Sequence, residues 1–222
     1  PRVQGLQPAA ASRRFPSYLA PAMTQLPELP LTLSRQEIRK MIRQRRRTLT
    51  PEQQQEMGQQ AATRMMTYPP VVMAHTVAVF LSFDGELDTQ PLIEQLWRAG
   101  KRVYLPVLHP FSAGNLLFLN YHPQSELVMN RLKIHEPKLD VRDVLPLSRL
   151  DVLITPLVAF DEYGQRLGMG GGFYDRTLQN WQHYKMQPVG YAHDCQLVEK
   201  LPVEEWDIPL PAVVTPSKVW EW

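Results

Sequence analysis

The amino-acid sequence is most informative about its fold between Thr76 and Val107, where it reads TVAVFLSFDGELDTQPLIEQLWRAGKRVYLPV. Two runs rich in β-branched, aromatic and other apolar residues, 76–82 and 102–107, predict strands. Between them, residues 90–99 repeat apolar positions at helical spacing before a glycine, which predicts a helix that ends there. A strand, a helix and a second strand in this order are typical of an α/β domain.

Two helices are predicted upstream of this stretch. Ser34 followed by Glu37 has the spacing of a capping box and predicts a basic helix that runs to about Arg47. Thr50 followed by Gln53 repeats the pattern and predicts a second helix that stops at two prolines. Downstream, strands are predicted at 115–121, 151–155, 189–192 and 212–215, and a helix at 173–181. The sequence therefore predicts one layered α/β domain with an N-terminal helical pair.

Length and composition limit the classes of protein. A chain of 222 residues, 44% hydrophobic, suits one domain with a substantial core, which we expect over residues 32–222. Residues 1–31 are rich in Pro, Ala, Gln and Ser without apolar periodicity, so we expect a disordered or non-native extension there. No apolar run approaches the roughly 20 residues of a membrane helix. A net charge of +2 argues against a surface built for nucleic acid.

Cysteine usage indicates the compartment. The single cysteine, Cys195, cannot form an internal disulfide, and a cytoplasmic protein is expected. His193 lies two residues away, but no second pair of ligands stands near it, so a transition-metal site is not predicted. We expect a monomer.

Four glycines interrupt the segment Arg166-Leu-Gly-Met-Gly-Gly-Gly-Phe-Tyr-Asp-Arg176 just before a predicted helix. Glycines let backbone N–H groups crowd around an anion, and the helix would point its N-terminus at the same place, so the segment predicts a phosphate cradle. It is neither a Walker A loop nor the dinucleotide fingerprint, since Phe173 replaces the final glycine. Arg166 could neutralise phosphate charge and Asp175 could hold Mg²⁺. A flexible surface loop is the alternative.

The predicted basic helix holds seven cationic residues between Arg35 and Arg47. Ile38 and Ile42 recur at helical spacing, so one face can pack on the body of the domain. Arg35 and Arg39 lie four residues apart on another face and could reach one phosphate together. A solvated face and a nucleic-acid patch are the alternatives.

The segment Phe80-Leu-Ser-Phe-Asp-Gly-Glu86 leaves the first predicted strand through a turn. Loops at strand ends are where α/β folds gather ligand-binding groups. Glu86 could accept hydrogen bonds from a polar heterocycle while the apolar residues pack against it. Taken alone, however, the pattern favours core roles for the apolar residues and a carboxylate that merely precedes a helix.

Together these motifs resemble those of the 5-formyltetrahydrofolate cyclo-ligase family, also called 5,10-methenyltetrahydrofolate synthetases. The resemblance runs from about Arg35 to Thr215. It rests on Arg-Leu-Gly-x-Gly-x-Gly-aromatic-Tyr-Asp at 166–175, on Phe-Leu-Ser-x-x-x-Glu at 80–86, and on Asp207 shortly after Pro-Val. It implies an α/β fold with a mixed, mostly parallel sheet flanked by helices.

The resemblance also implies an activity. Such enzymes use ATP and Mg²⁺ to convert 5-formyltetrahydrofolate, with or without a polyglutamate tail, into 5,10-methenyltetrahydrofolate, releasing ADP and phosphate. The implied ATP-binding residues are Arg35, Arg39, Arg166, Gly168, Gly170, Gly171, Gly172, Phe173 and Tyr174. Arg166 and Tyr174 are also the implied catalytic residues. The implied magnesium ligands are Asp175 and Asp207, and the implied folate-binding residues are Leu81 and Glu86.

The sequence departs from some family members at Met169 and Gly171, where those members carry Arg and Lys. Other cations would then contact the transferred phosphate, with Arg176, Lys40 and Arg43 as candidates. Two further classes stay open at this point. One is a nucleic-acid-binding protein that uses the basic run 43–47, and the other is an α/β enzyme acting on a sugar phosphate.

Overall fold

The structure is a computed structural model that describes residues 33–222, so the extension expected over 1–31 lies outside the described residues. Its α-helices are α1 (Arg35–Arg47), α2 (Pro51–Thr67), α3 (Pro69–Met73), α4 (Gln90–Arg98) and α5 (Phe173–Leu178). Short 3-10 helices lie at Val141–Asp143, Leu147–Arg149, Trp181–His183 and Asp194–Gln196. Within residues 33–222, no helix has both the length and the apolar character that crossing a membrane requires.

The strands are short and mostly follow one another without long connections. In chain order they are β1 (Thr76–Ala78), β2 (Arg102–Leu108), β3 (Leu116–Tyr121), β4 (Leu127–Met129), β5 (His135–Pro137), β6 (Val144–Leu145), β7 (Val152–Thr155), β8 (Ala159–Asp161), β9 (Arg166–Leu167), β10 (Gln187–Tyr191), β11 (Leu197–Val198), β12 (Ala212–Val214) and β13 (Val219–Glu221).

An eight-stranded sheet forms the centre of the domain, in the order β13-β12-β10-β7-β1-β2-β3-β6. The strands from β12 to β2 run parallel. The edge strands β13 and β6, and β3 next to β6, pair antiparallel with their neighbours. Beside this sheet, β8 pairs with β9 and β11, and β4 pairs with β5. The predicted mixed, mostly parallel sheet is confirmed.

The central sheet has a hydrophobic core on each face, because successive side chains of a strand point to opposite sides. On one face, Val77, Val152 and Ile154 pack with α2 and α4. On the other face, Ala78 and Leu153 pack with the end of α5. This arrangement of helix, sheet and helix is the layered architecture that the alternating sequence pattern predicts.

The two N-terminal helices begin where the capping patterns predict. Ser34 Oγ accepts the Glu37 N–H at the start of α1. At the start of α2, Gln53 N–H donates to Thr50 Oγ1 at 3.1 Å and Thr50 N–H donates to Gln53 Oε1 at 2.9 Å, a complete capping box. The helices then serve different parts of the domain, since α1 packs on β8 and on Asp194–Gln196, whereas α2 packs on α4.

Two predicted elements are shorter in the structure. β1 ends at Ala78 instead of Ser82, because the chain bends back and the carbonyl of Phe80 accepts from Thr89 Oγ1 at 2.7 Å. α5 ends at Leu178 instead of Trp181, because Asn180 takes a left-handed backbone conformation with φ 60°. Both differences lie beside segments that the sequence marks as functional.

Candidate active site

Helix α1 joins the two distant segments that carry most of the predicted site. Arg39 Nε donates to the carbonyl of Gly168, in the glycine loop between β9 and α5, at 2.8 Å. Arg35 forms an ion pair with the carboxylate of Asp207, which precedes β12. The same guanidinium donates to the carbonyl of Pro202 at 3.4 Å. The basic helix thus brings the glycine loop and the second predicted metal ligand to one place.

The glycine loop presents a continuous series of free backbone donors. None of the N–H groups of residues 169–175 donates a hydrogen bond to another residue that the structure describes. Gly170 and Gly172 have φ of 109° and 70°, conformations that other residues rarely adopt. Because α5 has only six residues, a long helix dipole is absent and the loop itself provides the donors.

The other loop glycines make room for neighbouring side chains. A Cβ at Gly168 would lie 3.1 Å from Arg166 Nη1. A Cβ at Gly171 would lie 2.8 Å from the ring of Phe173, so glycine here lets that ring fold back over the loop. Phe173 therefore buttresses the loop from the side.

Arg166 is the buried centre of the site. Its Nε donates to the carbonyl of Pro156 at 2.9 Å, and its Nη1 lies 3.5 Å from Asp175 Oδ1. Burial lowers the pKa of Arg166, and the negative charges of Asp175, Asp207 and Glu86 act in the opposite direction. A single guanidinium therefore lies within electrostatic reach of three carboxylates that the sequence assigns to different roles.

Two buried polar atoms face this centre without a hydrogen-bond partner among the described residues, Tyr174 Oη and Asp175 Oδ1. The guanidinium of Arg166 lies over the Tyr174 ring, 5.6 Å from its centroid. Burial raises the pKa of the Tyr174 phenol above its usual range, so the group is a neutral donor at neutral pH. Unpartnered buried groups are costly, and here they are available to a ligand.

The carboxylates fit a magnesium ion. Mg²⁺ is usually held by one or two carboxylates together with substrate phosphates and water. Asp175 Oδ1 faces Arg166 Nη1 at 3.5 Å but makes no hydrogen bond to the described residues, and both contacts of Asp207, with Arg35 and with the Glu204 N–H, use Oδ2. Each carboxylate therefore has an oxygen without a hydrogen bond from the described residues, which a cation could use.

Glu86 closes a tight turn after β1. Asp84 and Gly85 have φ of 51° and 77°, as the central residues of a type I′ turn require. The Phe83 N–H donates to Glu86 Oε1 at 3.0 Å. Burial raises the pKa of Glu86 to about 7, against the opposing effects of that N–H and of the charge on Arg46. Near neutral pH this carboxyl group therefore exists both as an acid and as a carboxylate.

Side chains from two other segments hold this turn in place. Asp84 Oδ2 lies 3.4 Å from Arg43 Nε and 3.8 Å from Arg46 Nη2 of α1. The carbonyl of Gly85 accepts from His193 Nε2 at 3.1 Å. Burial lowers the pKa of His193, so its ring is neutral and the proton on Nε2 makes this bond. The turn is braced from both sides.

A cavity of about 60 Å³ connects the turn to the glycine loop. Its lining includes Glu86 from the turn, Met169 from the loop and Arg39 from α1. Leu81, the other predicted folate-binding residue, is half-buried against the core on the α2 and α4 side and does not line this cavity. The structure therefore brings Glu86, and not Leu81, to the glycine loop.

Comparison with known proteins decides the family. A profile of the 5-formyltetrahydrofolate cyclo-ligase family matches residues 32–216. The chain belongs to this family. The 5-formyltetrahydrofolate cyclo-ligase of Escherichia coli is 99% identical over 182 residues, which are 82% of this chain and 100% of that protein. That of Haemophilus influenzae is 53% identical over 179 residues, 81% of this chain and 96% of that protein.

A solved structure agrees in fold. The 5,10-methenyltetrahydrofolate synthetase of Aquifex aeolicus, determined by NMR, matches with a TM-score of 0.73 and 28% identity, over 85% of this chain and 93% of that one. The predicted family, α/β fold and enzyme class are confirmed, and the chain is a cyclo-ligase. The roles predicted for individual residues remain predictions.

The contacts made by the arginines of helix α1 are consistent with membership of the cyclo-ligase family. Besides Arg35 and Arg39, Arg43 and Arg46 face Asp84, and Arg45 donates to the carbonyl of Cys195 at 3.2 Å. Most of the cationic residues of α1 thus contact the protein itself. This use favours a structural and site-forming helix over the nucleic-acid patch considered as an alternative.

Several residues of the site were not predicted from the sequence. Arg46 is buried at 6% exposure, and it continues the four-residue spacing of Ile38 and Ile42, a signal that was available. The Asp84-Gly85 pair is a typical type I′ turn sequence. His193 has no comparable local signal, because its contact with Gly85 spans 108 positions along the chain.

Proposed function

We propose that this cyclo-ligase catalyses the ATP- and Mg²⁺-dependent cyclisation of 5-formyltetrahydrofolate to 5,10-methenyltetrahydrofolate, with release of ADP and phosphate. The observation that carries the proposal is the series of N–H groups at residues 169–175 that have no hydrogen-bond partner among the described residues, in a loop whose Met169 lines one cavity together with Glu86. One side of the cavity suits a polyphosphate and the other suits a heterocycle with N–H donors.

The chemistry explains why a nucleotide is needed. N10 of the substrate must attack the formyl carbon on N5, and the formyl oxygen must leave, but oxide or hydroxide is a poor leaving group. Transfer of the γ-phosphoryl group to that oxygen breaks the bond to ADP and produces an iminium phosphate. N10 then bonds to the carbon and loses its proton, the carbon–oxygen bond breaks, and phosphate departs.

The phosphate side of the site stabilises charge. The loop N–H groups donate to an oxyanion of the nucleotide, as in other phosphate cradles. The guanidinium of Arg39, whose Nε donates to the Gly168 carbonyl, adds positive charge beside them. Arg166 is fixed by the Pro156 carbonyl, so it lies in place before the substrate arrives. Tyr174, a neutral phenol without a partner among the described residues, donates a hydrogen bond to the oxygen that is being phosphorylated.

Asp175 and Asp207 would hold the magnesium ion, each through the carboxylate oxygen that makes no hydrogen bond to the described residues. When bound, this ion neutralises phosphate charge and orients the terminal phosphate. Arg35 pairs with Asp207 in the structure and keeps that carboxylate next to the site.

Glu86 binds the pterin ring. The pterin edge carries an amide-like N–H and an amino group, which a carboxylate can accept together. The cavity of about 60 Å³ is smaller than ordinary small-molecule sites, which begin near 300 Å³. Entry of the substrate therefore displaces the side chains that are exposed at its mouth, Phe83 at 38% and Met169 at 59% exposure.

The test follows near-ultraviolet absorbance, because the methenyl product has a more extended chromophore than the substrate. We expect a rise that requires protein, 5-formyltetrahydrofolate, ATP and Mg²⁺ together. Arg39→Gln should lower kcat/KM for ATP by about tenfold or more. Arg47→Gln, an exposed arginine of the same helix, serves as the matched control and should behave as wild type.

Two results would overturn the proposal. The first is a rise of equal rate without ATP. The second is no rise from folded protein while a cyclo-ligase of known activity gives signal in parallel.

A further inference from the structure

Arg176 makes a set of contacts that the proposed mechanism does not use. Its Nη2 donates to the carbonyl of Gly171 at 2.5 Å, and its Nε donates to the carbonyl of Gly114, in the turn between β2 and β3, at 2.6 Å. The guanidinium also lies over the ring of Phe173, 5.5 Å from its centroid. The Arg176 side chain therefore contacts the glycine loop, the Phe173 ring that packs beside this loop, and a separate turn.

The backbone at the turn is shaped to admit this guanidinium. Gly114 has φ of 83°, a conformation that other residues rarely adopt. A Cβ at Gly114 would lie 2.7 Å from Arg176 Nη2, and a Cβ at Gly172 would lie 2.9 Å from Nη1. Glycine at both positions lets the guanidinium lie directly against the two backbone segments, which an exposed arginine without a role would not require.

The contact with Gly171 also determines where the next N–H group points. In a planar trans peptide the C=O and the following N–H point in opposite directions. Because the Gly171 carbonyl points at Arg176, the N–H of Gly172 points away from it. That N–H is one of the loop donors that have no hydrogen-bond partner within the described chain. The hydrogen bond from Arg176 thus orients a donor of the cradle.

We infer that Arg176 is a positioning residue for nucleotide binding: it orients the Gly171–Gly172 peptide toward the phosphates and fixes the glycine loop to the β2–β3 turn through Gly114. The inference rests on the proposed function, since it assigns the cradle to ATP. Between Arg166 and Arg176 the loop carries no cationic side chain, so no neighbouring arginine or lysine of the loop can replace these contacts.

The test compares Arg176→Ala and Arg176→Lys with wild type. We expect Arg176→Ala to raise KM for MgATP about tenfold and to leave KM for 5-formyltetrahydrofolate within about twofold. Arg176→Lys keeps the positive charge, but its single ammonium lacks the planar fork that spans both carbonyls. It should therefore reverse less than about half of the increase in KM for MgATP that Arg176→Ala causes, measured on a logarithmic scale. Arg142→Ala, at an exposed arginine paired only with Asp140 in the described structure, is the matched control.

Chemical rescue gives a readout that a general loss of stability would not produce. Low millimolar guanidinium chloride should lower KM for MgATP of Arg176→Ala by about threefold, whereas sodium chloride of equal ionic strength should not. Circular dichroism checks that each variant is folded. If Arg176→Ala does not fold, the ratio of the two KM changes in Arg176→Lys decides.

The outcomes separate this inference from the proposed function. If wild type forms the methenyl product without ATP, the proposed function fails, whatever the variants do. If wild type requires MgATP but Arg176→Ala leaves its KM unchanged, or raises both KM values equally, the positioning role of Arg176 is overturned and the proposed function stands.

Discussion

The glycine loop and the turn that carries Glu86 are two ways of building a binding surface. The N–H groups of residues 169–175 have no hydrogen-bond partner within residues 33–222, and the loop is held through the carbonyls of Gly168 and Gly171 by Arg39 and Arg176. In the turn 83–86, by contrast, the Gly85 carbonyl is bonded by both His193 and Gln54. The loop keeps donors free for a ligand, whereas the turn uses its polar groups to fix one carboxyl group.

Under the proposed function, the difference follows from what each ligand needs. A phosphate presents several equivalent oxygens, so many donors on an adaptable backbone can share it. A pterin edge is planar and directional, so a single carboxyl group must be aimed. We therefore expect changes in the loop to affect the use of MgATP and the chemical step, and changes in the turn to affect folate binding.

The largest effect is expected from a change in the glycine loop, at Asp175. Asp175→Asn removes the charge of a carboxylate whose Oδ1 lies 3.5 Å from Arg166 and which is a proposed ligand of the metal. We expect kcat to fall by about 100-fold or more, with weaker activation by Mg²⁺. Steady-state kinetics over a magnesium titration measures this. Asp140→Asn, at an exposed turn, is the control, and an unchanged magnesium dependence in Asp175→Asn would remove the metal role.

Glu86→Gln tests the turn. The amide keeps the size of the side chain but replaces one acceptor oxygen by an NH2 donor, so it cannot accept from two neighbouring N–H groups side by side as a carboxylate does. We expect KM for 5-formyltetrahydrofolate to rise about 10- to 30-fold while KM for MgATP stays within about twofold. Equal changes in both constants would place Glu86 outside the folate-binding surface and would erase the distinction between the two regions.

The pH dependence of stability tests the burial of Glu86 directly. Its pKa in the folded protein, about 7, lies above the ordinary 4.5, so the folded state holds this proton more tightly than the unfolded chain. The stabilisation is complete below pH 4.5 and is lost as the pH rises through about 7. Relative to Glu86→Gln, the free energy of unfolding of wild type should fall by about 1–3 kcal/mol across this range. Urea denaturation measures it, and parallel profiles would contradict it.

The smallest effect is expected at His193, whose hydrogen bond helps to hold the turn in place. His193→Gln should weaken the hydrogen bond to the Gly85 carbonyl without touching the substrate. We expect about a threefold rise in KM for the folate, with kcat little changed, because the carboxyl group is aimed less well. His183→Gln, in the 3-10 helix Trp181–His183, is the matched control. A loss in kcat alone would assign His193 a different role.

The sequence predicted what depends on local signals. The capping residues gave the starts of α1 and α2, and apolar periodicity gave the β1-α4-β2 unit. The glycine loop was recognised because closely spaced glycines indicate backbone conformations that other residues rarely adopt. The two-residue strands β9 and β11 have no pattern of their own, because they exist only through pairing with β8.

The geometry of the site depends on contacts that no local pattern encodes. The ion pair of Arg35 with Asp207 and the bond from Arg39 to Gly168 join segments far apart in the chain. The depth at which Arg166 is buried results from packing of several elements and not from its neighbours in sequence. Leu81 was assigned by motif alone; it packs partly buried against the core, and its role in folate binding stays a prediction.

The span between Arg35 and Asp207 has a consequence for biosynthesis. The arginine leaves the ribosome 172 residues ahead of its partner, so α1 emerges long before the carboxylate and the glycine loop that it joins. Closing so long a loop of chain is entropically expensive and comes late in folding. A nascent chain can therefore assemble β1, α4 and β2 as it emerges, yet it completes the proposed phosphate site only after Asp207 has emerged.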